Sequence, residues 1–471
     1  LVPGYYLGIP RPKIAPVFSA AWGLATIVII YFLGRELFGP TAGLLAAAMY
    51  GGSGFAALYT RIAAAESFGF FCLALAVWQY ARLYNSTDEK RPILSPAIVG
   101  VWWALAILAN YRLLLTAAIV LTVCESIALF RRGLRSIRRP VIIASSLFGT
   151  LILTEVAFRV AVAAWRRLGG EFRAPTYWEQ LRYFLFEKRP VGNRFNIDWM
   201  DNLYHFGHYW WKAEGPALSL LAAIGVGYVL SRRTRFVKAD GPLALASLLV
   251  GLAWTYQHFV VPRVIALLCV LLSPFAGYAL YLAARRLRLE RSWLGLALFV
   301  VGYVVLLGTM VYRVGPIWFD RPGAYRELAD AVKQAGNQPL YAFWRQKPGT
   351  ALYVIDRPIR QVNEHKGVGV YNPDNMPADG LLVAESDYIA RTYPDAEILG
   401  HWPTRSGSNE LIQADDWWSW DRSVARKNEN IELLLVKLRG PPDPAATTET
   451  WSPPPTPQAD DLVEPKTPAV D

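Results

Sequence analysis

Between Val17 and Tyr84 the chain packs three apolar segments of membrane length around two very short polar breaks, and the second break carries Arg61 and Glu66. About 20 apolar residues cross the hydrocarbon core of a bilayer, and a backbone in lipid must satisfy its own hydrogen bonds, so these segments read as transmembrane helices. Continued along the chain, the same reading places spans at 17–36, 41–58, 66–84, 94–109, 112–130, 141–164, 215–231, 242–261, 263–284 and 293–312. Hydrophobic residues make up 54% of the chain, which is high for a soluble domain. The mean hydropathy is only +0.23, because charges and prolines collect after Tyr312.

The arginines set the orientation. Arg131, Arg132, Arg135, Arg138 and Arg139 fill one connection, Arg232, Arg233, Arg235 and Lys238 a second, and Arg285, Arg286, Arg288 and Arg291 a third. If every span crosses once, all three share a face, and basic loops mark the cytoplasmic side. The net charge of +11 is then an orientation signal and does not call for nucleic acid. The breaks around Arg61/Glu66, Asn110/Arg112 and His258/Arg263, the loop 165–214 and everything after Tyr312 fall outside the cytoplasm. Residue 1 falls there too, so an upstream span and external loop are expected. Cys72, Cys124 and Cys269 lie inside apolar segments and read as small buried hydrophobes. The Asn85-Ser86-Thr87 sequon falls on the cytoplasmic side, where it has no glycosylation role.

The organisation expected is a multi-pass domain over 1–314, an extracytoplasmic α/β domain over 315–440 and a disordered, proline-rich tail over 441–471. Within the loop 165–214, Tyr177, Leu181, Phe184 and Leu185 recur at helical spacing, as in an amphipathic helix lying on the membrane surface. In the α/β domain, PGAYRELADAVKQAG reads as a helix ending at Gly336 and DYIARTYP as a second. PLYAFW, ALYVI, GLLVAE, AEILGHW and IELLLVKL read as strands. GVGVYN at Gly367 lacks the setting of a dinucleotide loop, and DDWWSWDR at Asp415 is either an aromatic sugar-binding patch or an exposed loop. His205 and His208, at i and i+3, match no known zinc pattern.

Four short motifs carry a resemblance: GR-x-LFG at Gly34 to Gly39, AGLLAA from Ala42, YTR-x-A-x-x-E from Tyr59 to Glu66, and a PR helix start at Pro262. They are similar to those of the polyprenyl-phosphate-sugar-dependent glycosyltransferases of the GT-C fold. Within that fold they are most similar to the branch that holds the protein O-mannosyltransferases and the aminoarabinose transferases that modify lipid A. The resemblance implies an α-helical multi-pass membrane protein with about ten spans and a small extracytoplasmic α/β domain. It also implies a sugar donor on a polyprenyl phosphate and a lipid, glycan or protein acceptor. The setting is a cell membrane, of bacterial inner-membrane type from the alanine- and arginine-rich composition, with room for membrane-complex partners. Members of the family carry a first acidic motif, to which the catalytic base is assigned, in the loop after their first span. That loop is absent here, so the chain is expected to correspond to the second span onward.

Sugar transfer from a lipid phosphate needs a carboxylate to take the acceptor's proton and positive groups to stabilise the departing phosphate. Glu66 matches the family's second acidic position, where it orients the acceptor or holds a divalent cation such as magnesium or manganese. A helix-start glutamate favoured by the macrodipole has the same signature. Arg61 either pairs with Glu66, meets the donor phosphate or snorkels to the interface. Tyr111 and Arg112 stand at a helix junction where the family places a basic or aromatic residue near the lipid phosphate. Arg263, at the PR helix start, is the foremost phosphate candidate, because a guanidinium grips phosphate with two parallel hydrogen bonds. Two other readings remain: a catalytically silent scaffold subunit of the same fold, favoured by the absent acidic loop, and a transporter, disfavoured because no paired broken helices or internal repeat are legible.

Overall fold

Apolar runs that find no hydrogen-bond partner in lipid close their bonds internally, and the described residues in the first two-thirds of the chain are accordingly mostly helical. The computed structural model describes residues 11–61, 66–86, 94–167, 178, 199–255, 265–287, 293, 295–297, 300–305, 308–309, 312, 325–343, 360–361, 377–404 and 431–441. Outside the described residues lie Pro262, His258, Arg263, the amphipathic stretch 179–185, the ALYVI strand, the GVGVYN and DDWWSWDR segments and the tail beyond Pro441. The chain divides into two compact units, a helical one up to Phe319 and an α/β one from Asp320.

The helical unit comprises α1 (Arg11–Phe38), α2 (Pro40–Gly51), α3 (Gly54–Arg61), α4 (Glu66–Asn85), α5 (Leu94–Ala109), α6 (Leu113–Arg132), α7 (Arg138–Arg167), α8 (Trp199–Leu230), α9 (Asp240–Thr255) and α10 (Leu267–Arg286). Among the described residues, five helices are long and apolar enough to cross a membrane: Val17–Phe38, Leu113–Arg132, Arg138–Ala164, Ala213–Leu230 and Leu267–Arg286. A sixth candidate is the α2/α3 pair, bent by 60°. The helices Ser95–Ala109 and Asp240–Thr255 are apolar but shorter.

The span read as continuous over 41–58 is therefore broken. The sequence Gly51-Gly52-Ser53-Gly54 supplies the reason, since glycine and serine weaken the helical ladder and permit a kink. The bent pair nonetheless climbs along α1. Near one end of α1, a Cβ on Gly34 would meet the Gly43 backbone at 2.9 Å. Eleven residues earlier, a Cβ on Gly23 would overlap the Thr60 side chain. Close backbone approach through small residues is how membrane helices associate. Trp22 packs on Phe68 and Phe71, each at 4.9 Å between rings, and Phe32 stacks on Trp78 at 5.2 Å, so α1 and α4 run in the same direction.

One end of this bundle is fastened by polar ties. The Asn85 amide donates to Glu36 Oε1 at 3.1 Å, and its carbonyl oxygen accepts from the Ala239 N–H at 2.8 Å. Arg132 donates to the Tyr84 carbonyl at 2.9 Å. Buried Glu125 is gripped by Arg139 through Nε and Nη2 and accepts from the Tyr80 hydroxyl at 2.7 Å. The connections 131–139 and 232–238 thus meet at the same end, and the sequon asparagine is occupied by structural bonds. The three cysteines are buried and free.

The second unit contains α11 (Tyr325–Gln334), β1 (Leu340–Phe343), β2 (Arg360–Gln361), β3 (Asp379–Glu385), α12 (Ser386–Thr392), β4 (Glu397–Thr404) and β5 (Ile431–Arg439). The sheet order is β2-β1-β3-β5-β4, with β1 parallel to β2 and β3, and β5 antiparallel to β3 and β4. Strand alternation puts Leu381, Val383, Leu433 and Leu435 under α11 and Leu382, Ala384, Leu434 and Val436 under Ile389 and Tyr393. Helices thus cover both faces. Gly336, at φ 92, follows α11 in the left-handed conformation that ends helices.

Candidate active site

At the end of α4 opposite Asn85 lies Glu66, the first residue of that helix. It is buried, with 9% of its surface exposed, so it is not a solvated loop residue. Two neighbours fix the local backbone. The Ser67 hydroxyl donates to the Tyr59 carbonyl at 2.5 Å, tying the start of α4 to α3, and the Tyr59 ring meets Phe70 edge-on. One turn beyond Glu66, a Cβ on Gly69 would come into van der Waals contact with Asn110 and Leu113. The turn between α5 and α6 therefore packs beside the first turns of α4.

That turn carries Tyr111 and Arg112. The Arg112 N–H donates to Asn110 Oδ1 at 3.1 Å, a local bond of the kind that shapes Asx turns, and Arg112 then opens α6 as its N-cap. The Arg112 guanidinium stands 5.5 Å from the centre of the Tyr111 ring, and both residues are half-buried. Glu66, Tyr111 and Arg112 thus share one end of a packed helix cluster. Arg61 is the last residue of α3, and its side chain lies outside the described residues, as does all of Arg263.

The sequence reading missed Glu214. It assigned this residue to the end of the external loop, whereas the structure buries it completely inside α8, just before a break at Gly215 (φ 69) and Pro216. Its Oε1 accepts from the Ser53 hydroxyl at 2.6 Å and from the Phe55 N–H at 3.1 Å, at the start of α3. The signal in the sequence was Ala-Glu-Gly-Pro opening an apolar run, an acidic residue at a helix start with a breaker behind it. An open cavity of about 910 Å³ lies against this break, lined by His208, Trp211, Glu214, Thr309 and Tyr312 among others. His208 stacks on Tyr204 at 6.0 Å, the side chain of His205 lies outside the described residues, and no group of three or more His, Cys, Asp or Glu able to hold a metal occurs among the described residues. Among the described residues one candidate span is bent, the α2/α3 pair, whereas the break at Gly215 falls at the start of the candidate span Ala213–Leu230.

A buried carboxylate at the start of a helix whose first turns pack against a turn carrying a guanidinium and a tyrosine brings together the residue types that sugar transfer from a lipid phosphate requires. Comparison with known proteins bears on the fold that carries these residues. Residues 14–158, under a third of the chain, match the family model described as dolichyl-phosphate-mannose-protein mannosyltransferase, and they include Arg61, Glu66, Tyr111 and Arg112. ArnT from Cupriavidus metallidurans bound to undecaprenyl phosphate superposes with a TM-score of 0.55 at 12% identity, covering 89% of this chain and 83% of that one. The apo state of the same protein gives a TM-score of 0.52 at 13% identity with the same coverage. The archaeal oligosaccharyltransferase AglB from Archaeoglobus fulgidus, in complex with an inhibitory peptide and a dolichol-phosphate, gives 0.51 at 13% identity, covering 83% of this chain and 60% of that one. No curated protein sequence matches the chain. The chain has the GT-C fold, and its resemblance to the polyprenyl-phosphate-dependent glycosyltransferases holds in both sequence and structure.

Proposed function

We propose that this chain, built on the GT-C fold, is a membrane glycosyltransferase that moves a sugar from a polyprenyl-phosphate donor to a lipid, glycan or protein acceptor outside the cytoplasm. The observation that carries the reading is the burial of Glu66 at the start of α4, packed beside the Asn110–Arg112 turn, within the segment that matches the mannosyltransferase family. The solved structures of this fold with undecaprenyl phosphate and dolichol-phosphate support the choice of donor.

In this reading Glu66 orients the acceptor hydroxyl, which gives its proton to a carboxylate as that oxygen attacks the anomeric carbon. The bond from the sugar to the phosphate oxygen breaks, and the lipid phosphate leaves with the electron pair. Arg112, Arg61 and Arg263, with the Tyr111 hydroxyl, stabilise that charge, and a guanidinium does so best by bidentate contact. The carboxylates among the described residues do not form a cluster suited to a divalent cation, and no step is assigned to one. The chain then crosses the membrane ten times, with a multi-pass domain over 1–314 and an extracytoplasmic α/β domain over 315–440.

The test is transfer of radiolabelled sugar by the protein in nanodiscs, with polyprenyl-phosphate sugars as donors. Glu66→Gln is expected to lower turnover by about 100-fold while leaving expression intact, the scale of losing a positioned acid or base. Full turnover in that variant removes Glu66 from the chemistry. A wild-type protein that binds donor yet transfers nothing supports the scaffold reading instead.

A further inference from the structure

We propose that Glu214 is a positioning residue for this transfer, acting through α3 and not on a substrate; the inference rests on the reading above, because α3 ends at Arg61 and the next helix opens with Glu66. Two helix breaks meet at this point. The chain leaves α2 at Gly51 and enters α3 at Gly54, while α8 is interrupted at Gly215. They touch backbone to backbone, since a Cβ on Gly54 would overlap the Ala213 carbonyl.

The contact is polar where its surroundings are not. The first N–H groups of a helix have no partner within it, and α3 starts in the interior, away from water. Ser53 caps the helix through its Oγ, which accepts the Ala56 N–H at 3.1 Å. Glu214 Oε1 completes the cap by accepting from Ser53 and Phe55. The carboxylate also faces the positive end of the helix. An ionisable group buried in a membrane bundle is costly and marks a function more often than simple packing.

With eight residues, about 12 Å long, α3 is too short to hold itself in place. Its position is set at its two ends. Glu214 and Ser53 hold the start, and the Tyr59 carbonyl holds Ser67, next to Glu66, at the finish. Glu214 thus fixes, at a distance, where the Glu66 carboxylate stands.

The experiment uses the full chain in nanodiscs with Glu214→Ala, Glu214→Gln, Ser53→Ala and Glu66→Gln, and it measures kcat, donor KM and hydrogen exchange over residues 53–61. Glu214→Ala is expected to lower kcat about tenfold or more with donor KM nearly unchanged, and to speed exchange across α3. Glutamine keeps an oxygen that accepts both bonds, so Glu214→Gln should recover most of the rate and the protection. A general folding defect would give no such rescue. If Glu214→Ala does not fold, Ser53→Ala decides the matter, with a smaller kcat loss expected and a normal kcat overturning the proposal. Unchanged exchange over 53–61, or glutamine no better than alanine, also overturns it. Loss of activity in Glu66→Gln beside full activity in Glu214→Ala rejects the positioning role alone, whereas full activity in Glu66→Gln rejects the reaction and the positioning role together.

Discussion

Buried charge is handled differently at the two ends of the bundle. Glu125 and Arg139 form a bidentate pair with a 2.7 Å contact, side chains about a tenth exposed, and Tyr80 occupies a remaining carboxylate position. Removing one partner strands the other. Arg139→Ala is therefore expected to cost about 3 kcal/mol, whereas replacing both members with Leu and Met should cost much less, as unfolding in detergent would measure. At the other end the arginines are expected to serve a ligand. Arg112→Ala and Arg263→Ala should each weaken binding of a short-chain polyprenyl phosphate, Arg263 by roughly 1.5–3 kcal/mol and Arg112 by less. Lysine at either position should recover part of the loss, because it keeps the charge but not the fork. Unchanged affinity in both alanine variants would remove the phosphate site.

At the scale of elements, close approach decides stability. A Cβ on Gly277 of α10 would stand 2.4 Å from the Ala46 nitrogen of α2, a contact with backbone that cannot move aside. On Gly251 of α9 the nearest atom is a Leu268 methyl at 3.7 Å. Gly277→Ala is thus expected to destabilise by about 1–3 kcal/mol and Gly251→Ala hardly at all, measured as detergent thermal midpoints. Most element boundaries were legible because hydropathy and caps are local: the reading 94–109 is α5, and Ile431–Arg439 follows the last strand read. The break in 41–58 was not, since glycine and serine in an apolar run look the same whether a neighbour exploits them or not. Glu214 escaped for a related reason. Its partner Ser53 is 161 residues away, and no window along the sequence contains both. The place of Glu66 at a helix start was legible because the polar break before it is short in the sequence.

For the whole molecule, the orientation rests on the basic connections, two of which meet beside Asn85 and Tyr84. Cysteine placed at Ser136 should resist a membrane-impermeant reagent in intact cells, while cysteine at exposed Lys333 should react. Equal labelling would overturn the extracytoplasmic site. The cap that Glu214 places on α3 has a further consequence for synthesis. Ser53 and Phe55 leave the ribosome long before residue 214, so the first helices insert with the start of α3 still lacking its carboxylate. Until α8 arrives, those amides must draw on water or on the insertion machinery. The early bundle is therefore held in an unfinished state, and the arrival of a single late carboxylate closes it.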